Sequence, residues 1–467
     1  MNGNFEYPPN QSQMSGSTVT GQNAIPYWTT SGFVEYIGSG QQQGDMILTV
    51  PEGAHAVRLG NEASIQQQIS VTPGLYYCIT FRASRTCAQD EKLSVTAIPV
   101  TGYPTQSGIL PIQTVYTSCG WDSYSWAFKA DAGIVSFTIH NIGQEEDPAC
   151  GPIIDAIAIK TLNMPQPTGN NLLTNGDFEE GPYIPPDSKS GVMVPPMDED
   201  DVSPLPGWKI MSYKKVVKYV DSAHFAVPRG ARAVEMVSGV EAALVQEVYT
   251  TVEGSWYRLE FSVGDAANQC VASSDGYSTS GMKVKASAGA SDTTVEVNFG
   301  GNGGSVRGKL EFQAPASPTR VVFESLGYYT KADKSGTLCG PVLDDVSLVA
   351  IAQPGVRQGY TAGCTHMQPC GGERGHSTGA GTASIEHALA GTHQGHNMAE
   401  YANYRSKQDG HVITSGISPA VPSRSPIPFP RRARFRDQER TADDALANHL
   451  DRGSACRSGA RSAARPA

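Results

Sequence analysis

The sequence predicts an all-β protein built from two tandem jelly-roll β-sandwiches, and three observations support this prediction. Five short motifs occur twice, in the same order, within residues 1–350, which indicates two copies of one domain. The segments between the motifs are short runs rich in β-branched and aromatic residues, bounded by Gly, Pro, Asn or Ser. The 50 Gly and 31 Pro among 467 residues favour turn-rich β structure over helical bundles.

The repeated motifs define the domain boundaries that we expect. They are residues 2–6 with 175–179, 25–28 with 205–208, 50–53 with 227–230, 74–81 with 254–261, and 150–155 with 339–344. The changing distance between the copies is what loop insertions between fixed strands would cause. The sequence therefore predicts one domain at 1–164, a linker rich in Pro, Gly and Asn at 165–171, and a second domain at 172–350.

The last segment of the chain, residues 351–467, has a different composition from the rest. It carries 14 of the 35 basic but only nine of the 45 acidic residues, and it shows no apolar period of 2 or 3.6 residues. We therefore expect a disordered or aberrant tail that contributes nothing to either domain.

Charge and hydropathy exclude two classes of partner. A formal net charge of -10 argues against a nucleic-acid binder, because neutralising phosphates needs a basic surface. No apolar run approaches the roughly 18 residues of a transmembrane helix. The N-terminal residues Met1–Glu6 do not read as a secretion signal, so the chain is expected to begin where a mature domain begins.

At several motifs the sequence resembles the plant cell-wall family called domain of unknown function six-four-two, or BIIDXI-like. The matching segments are 2–6, 32–37, 44–46, 57–64, 85–91, 120–122, 145–148, 203–208, 261–266 and both Cys-Gly-Pro motifs. This resemblance covers residues 1 to about 350. It implies two galactose-binding-like jelly rolls, secretion to the cell wall, no demonstrated catalysis, no required cofactor, and association with cellulose, hemicellulose or pectin and with pectin methylesterase.

Two other functions are compatible with the sequence. The chain could be a pure protein-interaction scaffold without affinity for glycans. It could also be a glycan-active enzyme, but glycoside cleavage needs a carboxylate pair with separated pKa values, and the obvious acids recur at equivalent places in both copies. We therefore expect a protein that is not an enzyme.

Aromatic rings next to polar groups are the residues that bind sugars, and four candidates stand out. They are Trp121, Asp122, Tyr124 and His55. Trp126 alternates with Phe128 on one strand and matches a Leu in the second copy, so we expect it in the core. Trp28 and Trp208 recur in both copies, which also favours a core position.

A structural calcium ion is a further expectation, based on related carbohydrate-binding jelly rolls. Its ligands would be Glu6 and Asp155 in the first domain and Glu179 and Asp344 in the second, because hard cations bind clustered oxygens. The alternative is that these carboxylates only accept hydrogen bonds from loop amides.

The six cysteines before residue 350 predict disulfides and hence an oxidising compartment. The second domain contains only Cys270 and Cys339, and equivalence between the copies suggests the other pairs. The predicted bridges are Cys270–Cys339, Cys87–Cys150 and Cys78–Cys119. The alternative is free thiols in a cytosolic protein. Asn10, in Asn10-Gln11-Ser12, is the expected glycosylation acceptor of a secreted chain.

Overall fold

The computed structural model describes ten segments of the chain. They are residues 1–43, 46–86, 91–102, 105–112, 120–186, 188–197, 201–211, 217–237, 242–272 and 281–354. These residues belong to one compact unit. The predicted disordered tail lies outside the described residues from position 355 onwards.

The first repeat consists of short strands and one 3-10 turn at Gln11–Gln13. Its strands are β1 (Met14–Ser15), β2 (Thr18–Val19), β3 (Thr29–Ser31), β4 (Val34–Gly38), β5 (Gln42–Gln43), β6 (Met46–Ile47), β7 (His55–Leu59), β8 (Ser64–Ser70), β9 (Tyr76–Ser84), β10 (Lys92–Pro99), β11 (Gln106–Pro111), β12 (Asp122–Lys129), β13 (Ile134–Asn141) and β14 (Ile153–Leu162).

The second repeat is also built from strands. They are β15 (Val192–Val194), β16 (Lys209–Ile210), β17 (Val217–Asp221), β18 (Arg232–Glu235), β19 (Ala243–Val248), β20 (Trp256–Asp265), β21 (Cys270–Ala272), β22 (Gly281–Ala288), β23 (Ser291–Asn298), β24 (Ser305–Gln313), β25 (Thr319–Ser325), β26 (Tyr329–Lys331), β27 (Leu338–Cys339) and β28 (Pro341–Ile351). No helix among the described residues is long and apolar enough to cross a membrane.

Both repeats arrange their strands in the same way. One five-stranded sheet runs β11-β10-β13-β8-β3 in the first repeat and β23-β22-β25-β19-β16 in the second. The opposing strands run β4-β7-β14-β9-β12 and β17-β18-β28-β20-β24. The shared order confirms an all-β protein made of two jelly-roll sandwiches, each of which buries the inward face of both sheets.

The opposing strands of the two repeats join into one 13-stranded sheet. Strand β15 makes this connection, since it pairs in parallel with β12 through Met193 and Tyr124 and antiparallel with β17. The buried Ser125 hydroxyl donates to the Met193 carbonyl at 2.8 Å. Met193 and Val237, from the second repeat, lie in the hydrophobic core of the first. The repeats therefore share packing as well as sequence.

Repeated aromatic residues occupy equivalent core positions. The indole N–H of Trp28 donates to the Asn2 carbonyl, and that of Trp208 donates to the Asn175 carbonyl, both at 2.9 Å. Both rings are buried, as the repeat predicts, and so is Trp126. A buried indole needs a hydrogen-bond acceptor, and these carbonyls provide it.

The cysteines confirm one predicted bridge and contradict another. Cys270 and Cys339 form a disulfide across a sequence separation of 69 residues. The predicted Cys78–Cys119 bridge is wrong, because Cys78 is a free, buried thiol on β9. Cys78 packs with Ala127 and Leu162, and burial raises its pKa to about 12. Cys150 is disulfide-bonded, while Cys87 and Cys119 lie outside the described residues.

Candidate functional site

Trp121 does not lie on an exposed binding surface. Its residue exposure is 9%, and it packs with Ile37, Leu48 and Ile153. Its indole N–H donates to the Thr49 carbonyl at 3.1 Å. The prediction that Trp121 stacks on a sugar is therefore wrong, since the segment around Thr49 covers its ring.

Asp122 and Tyr124, on β12, are each only 1% exposed, so the prediction that they contact a sugar is also wrong. Tyr124 points into the core, where its ring stacks on Phe81 with centroids 6.1 Å apart. Asp122 lies near the buried Lys218 of the second repeat. Burial lowers the pKa of Lys218, and the carboxylates of Glu235 and Asp122 oppose this shift. Asp122 thus balances a buried charge where the repeats meet.

His55 is partly exposed, but its side chain is engaged by neighbours. Its ring stacks on Tyr36 with centroids 4.7 Å apart, and its Nδ1 lies 3.3 Å from Oε2 of Glu6. Oε1 of Glu6 accepts the backbone N–H groups of Ala54 and His55 at 2.7 and 2.9 Å. These contacts fix the turn before β7.

Glu179 has the same role in the second repeat as Glu6 has in the first. Its Oε1 accepts the backbone N–H groups of Ala231 and Arg232 at 2.7 and 3.3 Å. A Cβ at Gly53 or Gly230 would collide with the respective carboxylate, which explains why both turns carry Gly. Each glutamate therefore holds a turn against the opening segment of its repeat.

Asp155 and Asp344 are equivalent buried aspartates on the last strand of each repeat. Burial raises the pKa of Asp155 to about 8, and the Glu52 carboxylate adds to the shift, while the Ala156 N–H opposes it. Burial raises the pKa of Asp344 to about 7, with backbone N–H bonds from Arg229 and Asp345 opposing the shift. Because an equivalent aspartate is buried at this position in both repeats, the arrangement is typical of a structural role.

Each of the four carboxylates predicted to bind calcium accepts hydrogen bonds from backbone N–H groups. Backbone N–H groups engage both oxygens of Asp344, at 2.7 and 2.6 Å. In Asp155, Oδ1 accepts the Ala156 N–H at 2.7 Å, and the backbone N–H of Glu52 also lowers the pKa of this carboxyl. Among the described residues, no group of three or more His, Cys, Asp or Glu could hold a metal ion. Structural calcium stays a prediction.

Asn10 is exposed, as a glycosylation acceptor must be. Its side-chain oxygen accepts the Ser12 backbone N–H at 3.1 Å and the Ser12 hydroxyl at 2.9 Å. The acceptor sequence therefore forms a compact turn at the surface. Glycosylation itself stays a prediction.

A candidate site that the motif search missed lies on the outward face of the five-stranded sheet in the first repeat. Alternation along each strand turns a set of mostly hydroxyl and amide side chains away from the core. We call this set the neutral face: Thr29, Ser31, Ser64, Gln66, Gln68, Ser70, Lys92, Ser94, Thr96, Ile98, Ser107, Ile109, Ile134, Ser136, Thr138 and His140. Its ionisable members are Lys92, at one end of β10, and His140, whose Nε2 lies 3.1 Å from Oε2 of Glu62.

The strand register aligns the neutral face into rows that cross the sheet. The central row contains Thr29, Gln66, Thr138, Thr96 and Ser107, one residue from each strand. Neighbouring strands lie about 4.8 Å apart, so this row presents uncharged hydrogen-bonding groups over roughly 19 Å. Such a row offers donors and acceptors to an extended polar ligand.

The equivalent face of the second repeat has a different chemistry. Counted from Trp208, the equivalent of Trp28, the register gives the row that corresponds to Thr29, Gln66, Thr138, Thr96 and Ser107. Its members are Lys209, Val245, Val322, Ser287 and Asp292. Two ion pairs cross this charged face. They are Lys285–Glu324 at 3.8 Å and Lys283–Glu296 at 3.5 Å. One fold thus presents a largely uncharged surface in one copy and a charged one in the other.

An open cleft of about 690 Å³ lies at the chain ends of the second repeat. Asp177, Glu179, Arg229 and Asp345 are among the residues that line it. Glu179 accepts two backbone N–H groups, and Asp345 pairs with Arg229 at 3.0 Å and with Arg307. The charged groups of the cleft are therefore largely engaged with one another.

Comparison with known proteins identifies relatives across the described repeats. The chain matches the family described as "Protein of unknown function (DUF642)" at residues 1–160 and 171–349. The DUF642 protein L-galactono-1,4-lactone-responsive gene 1 of Arabidopsis thaliana is 54% identical over 75% of this chain and 91% of its own length. The Arabidopsis thaliana protein TEEBE is 44% identical over 74% of this chain and 89% of its own.

Among solved structures, the chain is similar to the N-terminal CBM22 tandem domain of a Paenibacillus barcinonensis protein. The two share 13% identity, and the match covers 69% of this chain and 93% of that one. The TM-score of 0.24 is too low for this likeness to bear on function.

Proposed function

This chain belongs to the DUF642 family, and we propose that it is a non-catalytic plant cell-wall protein that binds neutral polysaccharide through the neutral face. The observation that carries the proposal is the contrast between equivalent faces of the two repeats. Where the second repeat has the Lys285–Glu324 ion pair, the first has Ser94 and the imidazole of His140. A sheet face that only contacts solvent would have no reason to lack charged residues.

Neutral polysaccharides are chains of hydroxyl groups, so they match a surface of hydroxyls and amides. Each hydrogen bond adds only about 0.5–1.5 kcal/mol, and useful affinity therefore requires several in a row. The central row of the neutral face supplies them across the whole sheet. Because the face carries little charge, this geometry favours cellulose or hemicellulose over acidic pectin.

Secretion to the cell wall is part of the proposal. The Cys270–Cys339 disulfide supports it, because such bonds persist in oxidising compartments. The bonded state of Cys150 is a second observation of the same kind.

A protein partner such as pectin methylesterase is the second candidate function. The charged face of the second repeat favours it, because complementary charges give protein interfaces their specificity. A scaffold of this kind would retain a pectin methylesterase on a column of the full chain and lose it at high salt. Retention that did not depend on salt would contradict a role for this face.

A catalytic function is less well supported by the geometry. The aspartates with raised pKa values, Asp155 and Asp344, occur in both repeats at equivalent buried positions. Asp344 is not among the residues that line the cleft. We therefore retain the non-catalytic proposal.

Affinity electrophoresis tests the leading proposal directly. The full chain is run in native gels with and without xyloglucan, a neutral hemicellulose, and with polygalacturonate as the acidic comparison. We expect xyloglucan to retard the chain with little dependence on salt, because the contacts are uncharged. Absence of retardation, or retardation by polygalacturonate alone, would contradict the proposal.

A further inference from the structure

Two exposed tyrosines form a pair at one edge of the neutral face. Tyr7 is 61% and Tyr27 is 56% exposed, and their ring centroids are 6.5 Å apart at an interplanar angle of 61°. Tyr27 precedes Thr29 by two residues, and Thr29 begins β3, the edge strand of this sheet. The Gln67 side chain, on the neighbouring strand β8, donates to the Tyr27 carbonyl at 3.0 Å.

Asn2 holds the backbone of the tyrosine pair in place. Its amide donates to the carbonyls of Tyr7 and Pro26 at 3.3 and 3.2 Å, and its oxygen accepts the Tyr7 N–H at 3.0 Å. These hydrogen bonds therefore fix the backbone that carries both tyrosines.

The second repeat has the same framework without the tyrosines. Asn175 bonds to the backbone N–H and carbonyl of Glu180, at 3.1 and 2.8 Å, where Asn2 bonds to Tyr7. Gly207 occupies the position of Tyr27. The same turn forms in the second repeat with Glu180 and Gly207 at these two positions. The fold itself therefore does not require the tyrosines.

The backbone at position 27 makes its side chain unexpected. Tyr27 has a φ of 71°, and Gly207 has a φ of 83°. Positive φ disfavours a bulky side chain, and Gly is the residue that usually occupies such a position. Strained residues of this kind persist where the side chain serves a function.

We infer that Tyr7 and Tyr27 form an aromatic platform that stacks on a sugar ring of a neutral polysaccharide bound along the neutral face. The inference rests on the proposed function and adds a subsite to it. A tyrosine ring presents an apolar surface to the C–H face of a pyranose, while its hydroxyl remains available for hydrogen bonding. The adjacent hydroxyl and amide rows then bind the hydroxyl groups of the following sugars.

The test compares Tyr27→Gly and Tyr7→Ala with the wild-type chain by affinity electrophoresis in xyloglucan gels. Each change should raise the apparent Kd about fivefold, which corresponds to the loss of one aromatic contact. Tyr27→Phe keeps the ring and should bind like the wild type. Tyr249→Ala is the matched control, because Tyr249 is 72% exposed but lies on the second repeat.

Stability separates a binding role from a structural one. Tyr27→Gly should have a Tm equal to or above that of the wild type, because Gly accepts the positive φ. Wild-type affinity in Tyr27→Gly, or a fall in its Tm, would overturn the inference while the proposed function stands. A wild-type chain that xyloglucan does not retard would overturn both.

Discussion

Ser94 and His140 lie directly opposite each other on β10 and β13, and Lys285 and Glu324 form an ion pair at the equivalent positions of the second repeat. The strand register is the same in both copies, so the backbone does not explain the difference. Cross-strand pairs of opposite charge stabilise a sheet, and the first repeat lacks the pair at these positions. Its outward face is thus available for a different interaction.

Loss of the second-repeat disulfide should destabilise the protein. The bond closes a loop with a sequence separation of 69 residues, and removing such a bond costs about 2–5 kcal/mol. We expect Cys270→Ser with Cys339→Ser to lower the free energy of unfolding by this amount in urea titrations. Cys78→Ala is the control that leaves every disulfide intact. An unchanged midpoint in the double variant would contradict a stabilising bond.

Asp155 should make stability fall as the pH rises. Burial raises its pKa from an ordinary value of 3.8 to about 8. Between these values the folded state holds a proton that the unfolded state has released, so rising pH favours unfolding. The destabilisation is absent below about pH 4 and complete above about pH 8.

Asp155→Asn should therefore reduce the decrease in Tm between pH 5 and pH 8. Thermal unfolding at several pH values, followed by circular dichroism, measures this slope. Asp292→Asn, at an exposed position on β23, should keep the wild-type slope. If Asp155→Asn and the wild type lose the same number of degrees, the buried aspartate does not carry the pH dependence.

Calcium should raise the Tm if it binds near Asp155. A ligand that binds only the folded state stabilises it by RT ln(1 + [L]/Kd), so the effect grows with the logarithm of its concentration. EDTA should then lower the Tm of the wild type, added calcium should restore it, and Glu6→Gln should remove the response. A melting temperature that EDTA leaves unchanged would show that these carboxylates bind only backbone N–H groups.

Much of the fold could be predicted because the sequence repeats. Trp28 and Trp208 recur at matching places, and a residue kept in both copies of a β-sandwich is most often packed in its core. The Cys270–Cys339 bond followed because the second repeat offers no other pair of cysteines. These predictions depend on local pattern and on comparison between the copies.

Three of the four sugar-binding candidates, Trp121, Asp122 and Tyr124, failed because their surroundings come from distant parts of the chain. The main-chain segment around Thr49 covers Trp121, and the second repeat brings Lys218 close to Asp122. Spacing along the sequence carries no sign of these contacts. The neutral face did leave a signal in the alternating Ser and Thr residues of β10 and β13, but it becomes visible only once the register aligns the strands.

The measurement that tests the central claim most directly exchanges the chemistry of the two faces. Thr96→Lys combined with Thr138→Glu places a cross-strand pair of opposite charge in the central row of the neutral face without changing the net charge. Lys285→Thr combined with Glu324→Thr is the reciprocal control. Binding to xyloglucan and Tm are measured for both variants and for the wild type. We predict that the first variant keeps its Tm but binds about tenfold more weakly, because two uncharged hydrogen-bonding groups are lost. The second should bind like the wild type. Wild-type affinity in the first variant, with loss of affinity in the second, would contradict the account.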